Sequence, residues 1–120
     1  MTQDPFALPQ DPRWFAVRCL FEEGWLPDDR EESVYEERIT LWRATSVEEA
    51  VARAEAEART YAAAIPDAPD RYLGLAQAFA LSDGPADGAE VFSLLRGSTL
   101  PAEAYLDAFF DTGSERLRTL

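Results

Sequence analysis

The chain has 120 residues, with 23 acidic and 11 basic side chains, no histidine and a formal net charge of −12. Every basic residue is arginine. These absences exclude a Ser-His-Asp or Cys-His nucleophile and an imidazole metal ligand, and without lysine there is neither a Schiff base nor a P-loop lysine.

At 47% apolar and 12% aromatic, the composition supplies one domain with its own core. So acidic a chain repels phosphate backbones, which argues against nucleic acid as a partner. The charge suits a basic protein partner, or simply keeps a small protein in solution. Cys19 is the single cysteine, so no intrachain disulfide forms, which points to a reducing compartment. The N-terminus has neither the basic flank nor the apolar run of a signal peptide. No apolar stretch approaches the roughly 20 residues of a membrane-spanning helix. A soluble, cytoplasmic protein that does not engage membranes is therefore expected.

In chain order, residues 1–13 carry Pro5, Pro9 and Pro12 and are expected as an extended tail. Trp14 to Phe21 alternates with period two and predicts a strand, with Phe15, Val17, Cys19 and Phe21 inward. Gly24 and Pro27 break it, and a polar loop follows. A second strand is predicted over Tyr35 to Arg43, with Ile39 and Leu41 inward and Arg38, Thr40 and Trp42 outward. Ser46-Val47-Glu48-Glu49 fits a capping box. It opens a helix to about Ala63, with Val47, Ala50, Val51, Ala54, Ala58 and Tyr61 as its apolar stripe. Glu49–Arg53 and Glu55–Arg59 have the spacing of supportive ion pairs on its outer face.

Pro66 and Pro69 end the helix, and a third strand is predicted over Tyr72 to Leu81, with Leu73, Leu75, Phe79 and Leu81 on one face. After the turn at Ser82-Asp83-Gly84-Pro85, Glu90 to Arg96 predicts a fourth strand. Thr99-Leu100-Pro101 then opens a short helix with Ala102, Tyr105, Leu106, Phe109 and Phe110 as its stripe. Residues 111–120 are expected to fray. The order is β-β-α-β-β-α: one α+β domain over 14–110, a single antiparallel sheet of about four strands with helices packed on it. Leu41 to Val47 parallels Leu94 to Leu100, either through duplication or through convergent strand-to-helix chemistry.

Trp14-Phe15-Ala16-Val17, Tyr35-Glu36-Glu37-Arg38, the Ala44…Glu48-Glu49-Ala50 helix start, Tyr72-Leu73-Gly74-Leu75 and Glu90-Val91-Phe92-Ser93 together resemble the uncharacterised bacterial family catalogued as domain of unknown function 4288. The resemblance spans roughly residues 14–96. It implies a small bacterial protein with a sheet and a central helix, and it transfers no functional residue.

Between Glu22 and Glu37, eight carboxylates are opposed by Arg30 alone. Asp28, Asp29, Glu31 and Glu32 form the candidate acidic loop, either a dock for a basic partner or a solvated hairpin loop. It lacks the Asp-x-Asp-x-Asp-Gly frame of an EF-hand, and no metal site is assigned. Glu36 and Glu37 are neighbours in a strand and point to opposite faces, so they do not form an acid/base pair. Cys19 on the inward face reads as a small hydrophobe.

If the first two strands pair, the expected outward face gathers Trp14, Arg18, Arg38 and Trp42, residue types enriched in interface hot spots. Either the C-terminal helix covers that face or it is open to self-association. The reading is a non-enzymatic protein-interaction module, immunity- or inhibitor-like or homodimeric, with no catalytic residue and no cofactor. The alternative is a domain binding, or acting on, an anionic metabolite held by Arg18 and Arg38.

Overall fold

The computed structural model describes residues 11–24, 33–110, 112–115 and 117. Among them, five elements follow one another: β1 (Arg13–Glu22), β2 (Tyr35–Ala44), α1 (Val47–Ala62), β3 (Arg71–Ala80) and α2 (Ala102–Phe109). The three strands form one antiparallel sheet in the order β2-β1-β3. The first strand is thus the central one and carries more buried side chains than any other described element: Phe15, Ala16, Val17, Cys19 and Phe21. The α+β class and the single antiparallel sheet agree with expectation, but the sheet has three strands and the order is β-β-α-β-α. The expected tails, 1–13 and 111–120, lie largely outside the described residues, and Arg13 belongs to β1.

α1 packs against all three strands. Ala50, Ala54, Ala58 and Ala62, four residues apart, are its buried stripe. Small side chains at that spacing let the helix axis approach the sheet closely. The larger groups come from the other side, with Phe15, Phe21, Trp42 and Tyr72 filling the layer. Phe21 meets Tyr61 edge-on at 5.2 Å and Tyr72 at 5.6 Å between ring centroids.

The helix start is capped from one side. Ser46 Oγ accepts from the Glu49 N–H at 3.1 Å, while the Glu49 carboxylate accepts from the Thr45 hydroxyl at 2.7 Å and leaves the reciprocal half of the expected box unmade. Of the two expected helix pairs, Glu49–Arg53 forms at 3.8 Å. Glu55 instead accepts from Tyr72, and Arg59 lies over the Tyr72 ring.

β3 departs from its expected pattern. Cys19 pairs with Ala76 and Phe21 with Tyr72, so residues 73–75 bulge against Leu20 alone. Gly74 sits in that bulge at φ +78°, a backbone conformation costly for any residue with a Cβ. The bulge adds two residues and so keeps the faces in step: Tyr72, Ala76, Ala78 and Ala80 share the face of Phe21, Cys19, Val17 and Phe15, whereas Phe79 shares the opposite face with Ala16.

The expected fourth strand is absent. Residues 90–96 form no helix or strand and join no ladder. Val91, Leu94 and Leu95 stay exposed, and Phe92 alone anchors the segment, 6.1 Å from Phe79 between ring centroids. Strand propensity without a ladder to join does not make a strand.

Candidate functional site

The register of β1 against β2 decides which side chains meet. Cys19 lies opposite Arg38, Val17 opposite Thr40 and Phe15 opposite Trp42, while Arg18 faces Ile39 and Ala16 faces Leu41. Paired residues share a face. The four residues expected on one sheet face are therefore divided: Arg38 and Trp42 lie on the face covered by α1, Trp14 and Arg18 on the other. Ile39 and Leu41, expected inward, are 44% and 38% exposed. A one-residue change of parity moves every side chain of the strand to the other face.

On the covered face, Arg38 reaches Glu57 of α1 with two hydrogen bonds, 2.6 and 3.0 Å, and lies 3.8 Å from the Tyr61 ring centroid. The Tyr61 hydroxyl donates to Glu36 at 2.8 Å, and the Tyr72 hydroxyl donates to Glu55 at 2.6 Å. Trp42 donates through Nε1 to Thr40 Oγ1 at 2.7 Å and lies beneath the Arg53 guanidinium. Arg38 holds its proton more firmly than usual because of its bond to Glu57. Burial, helped by the bond to Glu55, raises the Tyr72 pKa. Burial also pushes the Cys19 thiol up, against the opposing pull of the Tyr72 hydroxyl. That thiol is neutral, which agrees with its reading as a small hydrophobe.

On the open face, Arg18 is held by Gln77, through Nε at 3.0 Å and also through a terminal amine, and by Glu37 at 3.2 Å. Its guanidinium lies 5.1 Å from the Phe92 ring centroid. Phe92, and not the C-terminal helix, lies across this part of the sheet.

Arg18 and Arg38 thus do not converge on a common ligand. Two shallow grooves lie on the described surface: one of about 390 Å³ along Val47, Val51 and Glu55, and one of about 430 Å³ along Arg59, Asp70, Arg71 and Tyr72. Neither is lined by Arg18 or Arg38. Glu23, Glu36 and Asp70 bring carboxylate oxygens within 4.8 Å of one another. All three are engaged, Glu36 by Tyr61 and Asp70 by the Gly24 N–H at 2.9 Å. Asp28, Asp29, Glu31 and Glu32 lie outside the described residues.

Two features remain without an intramolecular role. α2 buries none of its residues and packs on neither the sheet nor α1. Its ring cluster, with Tyr105 4.8 Å from Phe109 and 5.7 Å from Phe110, is met by Arg96 from the preceding segment. The second feature is the outer edge of β2. This ten-residue edge strand has no described strand on its outer side.

The split of β2 was hidden because Ile39 and Leu41 are its most apolar residues apart from Trp42. A signal was nonetheless present: Glu55 and Glu57 flank the alanine stripe of α1 and offer Arg38 a partner across the layer. No helix among the described residues is long and apolar enough to cross a membrane. Searches of protein-family models, of curated proteins and of solved structures find no match to this chain.

Proposed function

We propose that the chain is a non-enzymatic protein-interaction module that holds another protein or a second copy of itself, with no cofactor. One observation carries this reading. α2 is eight residues long, and it and its C-cap expose Leu106, Phe109 and Phe110 with nothing in the described chain to cover them. Isolated helices shorter than about 12–15 residues are marginal in water, so such a stripe is best accounted for by a surface it docks on.

The net charge of −12 favours a basic partner and disfavours nucleic acid. An immunity- or inhibitor-type role in the cytoplasm of a bacterial cell, neutralising a basic toxin, is the concrete form this takes. The rival reading, an anionic metabolite held by Arg18 and Arg38, requires two arginines that the ladder puts on opposite faces.

The test is capture from the native host with the intact chain and with Leu106→Glu/Phe109→Glu as bait, alongside sedimentation of the purified protein. A partner, or self-association, that the double variant loses supports the reading. An intact chain that is strictly monomeric and captures nothing overturns it.

A further inference from the structure

We propose that the outer edge of β2, unpaired by any described strand, is a self-association site, where a second copy pairs its own β2 antiparallel about a two-fold axis at Thr40. The inference rests on the interaction-module reading and names the partner.

Hydrogen-bond direction comes first. The Glu23 N–H donates to the Val34 carbonyl at 2.8 Å, so that opposed pair is hydrogen-bonded across the ladder. Antiparallel pairs alternate between bonded and non-bonded. Residues 36, 38, 40, 42 and 44 therefore turn their amides toward β1, and 35, 37, 39, 41 and 43 turn theirs outward. The Arg43 carbonyl fits this direction, since it accepts from the Arg53 side chain at 2.7 Å.

Side-chain order comes second. With Thr40 opposite Thr40 of the second copy, Ile39 meets Leu41, Glu37 meets Arg43 and Arg38 meets Trp42, each pair occurring twice by symmetry. On the open face this matches apolar with apolar and acid with base, and on the other face it sets a cation beside an indole. Shifting the axis by one residue sets Glu37 against Leu41, or Ile39 against Arg43, and the match is lost. The Arg43 side chain has no hydrogen bond or ion pair among the described residues, so it is available to Glu37 of the other copy.

Charge and edge protection agree. β2 carries Glu36 and Glu37 against Arg38 and Arg43, so this edge is locally neutral in a strongly acidic chain. It has no proline, glycine or bulge, the devices that usually blunt an edge. The other edge, β3, has a bulge with Gly74 at φ +78°. Pairing places the two β1 strands three strand spacings apart, roughly 14 Å, which leaves room for both α1 helices on one side of a six-stranded sheet. The Arg53 bond to the Arg43 carbonyl is exposed and is exchanged for a backbone bond.

Sedimentation equilibrium of the full chain tests this, with circular dichroism and melting temperature confirming that each variant folds. The expected result is a concentration-dependent doubling of mass. Arg43→Glu sets like charges opposite each other and weakens the dimer about tenfold, whereas Arg43→Lys, which keeps the positive charge, retains it. Ile39→Pro removes an outward N–H while sparing the β1 ladder, and abolishes the dimer. Thr40→Cys crosslinks under oxidation, because a non-bonded antiparallel pair has disulfide geometry, whereas the parent chain with buried Cys19 does not. A wild type that stays monomeric, or a dimer indifferent to Arg43→Glu and Ile39→Pro, overturns the inference. If the monomer still captures a different protein through α2, the interaction reading stands and only the edge pairing falls. If it captures nothing, both fall.

Discussion

Arg38 lies directly opposite Cys19 in the β1–β2 ladder, so its guanidinium points under α1 and grips Glu57 with two bonds. Strand, helix and ring layer are joined at that point, because the same guanidinium stacks on Tyr61, whose hydroxyl returns to Glu36 of β2. Glu57→Gln keeps the shape of the side chain and removes the charge. It is expected to lower unfolding stability by about 1.5–3 kcal/mol, the range for hydrogen bonds to charged groups. Arg38→Met/Glu57→Leu is expected to recover much of that loss, since a half-buried ion pair replaced by apolar groups leaves no orphaned charge. Urea unfolding of the three chains checks this, and an unchanged midpoint in Glu57→Gln would show that the grip contributes nothing.

The same layer sets the alkaline limit of stability. Cys19 and Tyr72 both have pKa values raised on folding, chiefly by burial, from ordinary values of 9.0 and 10.0. An acid with a raised folded pKa keeps its proton in the native state after the unfolded chain has lost it. Stability is therefore full below about pH 9 and falls as pH rises from there. Glu22 works in the opposite sense. Arg71 holds its carboxyl below the ordinary 4.5, so its small contribution is present above that pH and lost on acidification. Melting temperature followed from pH 7 to 11 is expected to decline more gently in Tyr72→Phe than in the parent.

Much of the fold was legible because it is written in local chemistry. The alternation around Phe15 to Phe21 and the alanines of α1 each fix one face without help from elsewhere. The parity of β2 was not legible, because Ile39-Thr40-Leu41-Trp42 offers apolar groups to either face. The choice is made by Glu57 and Tyr61, fifteen or more residues away. The bulge in β3 carries Gly74 and offsets the strand by two residues against β1 without changing which residues share a face, and the alternation of the sequence gives no sign of it. The absent fourth strand shows the limit of propensity: Val91 to Leu95 has strand-forming residues but no ladder to join. For the candidate site, the expected grouping did not survive the register, since Arg18 and Arg38 are on opposite faces.

The half-made cap of α1 gives a directional test. Ser46→Ala removes the bond to the Glu49 N–H and is expected to cost about 1 kcal/mol. Glu49→Ala should cost less, because its carboxylate bonds the Thr45 hydroxyl and leaves the Ser46 N–H alone. Chemical denaturation of the two variants ranks them. Equal losses would mean that the reciprocal capping bond forms in solution.

Gly24 is a tighter constraint than its place at a strand end suggests. A Cβ there would come within 1.9 Å of the Pro69 carbonyl oxygen and 2.9 Å of that of Ala68, both backbone atoms that cannot rotate away. The Gly24 N–H also donates to Asp70, tying the end of β1 to the segment before β3. Gly24→Ala is therefore expected to destabilise by about 1–3 kcal/mol, as overpacking does. Asp70→Ala should remove the tie alone and cost less. Thermal melts of both variants compare backbone crowding with the hydrogen bond.

α2 offers the sharpest contrast between packing and exposure. Phe109 and Leu106 are 43% and 52% exposed and touch neither the sheet nor α1. Truncating a buried aromatic such as Phe21 is expected to cost about 3–5 kcal/mol through lost transfer energy and the cavity left behind. Leu106→Ser/Phe109→Ser removes more apolar surface, yet it should shift the unfolding midpoint of the isolated monomer by no more than about 0.5 kcal/mol, as surface changes do. Its cost should emerge only when a partner occupies the stripe, as a lost gain in melting temperature on binding. A loss of several kcal/mol in the isolated monomer would mean that α2 docks on its own sheet and covers the open face. The stripe would then be core and would need no external partner.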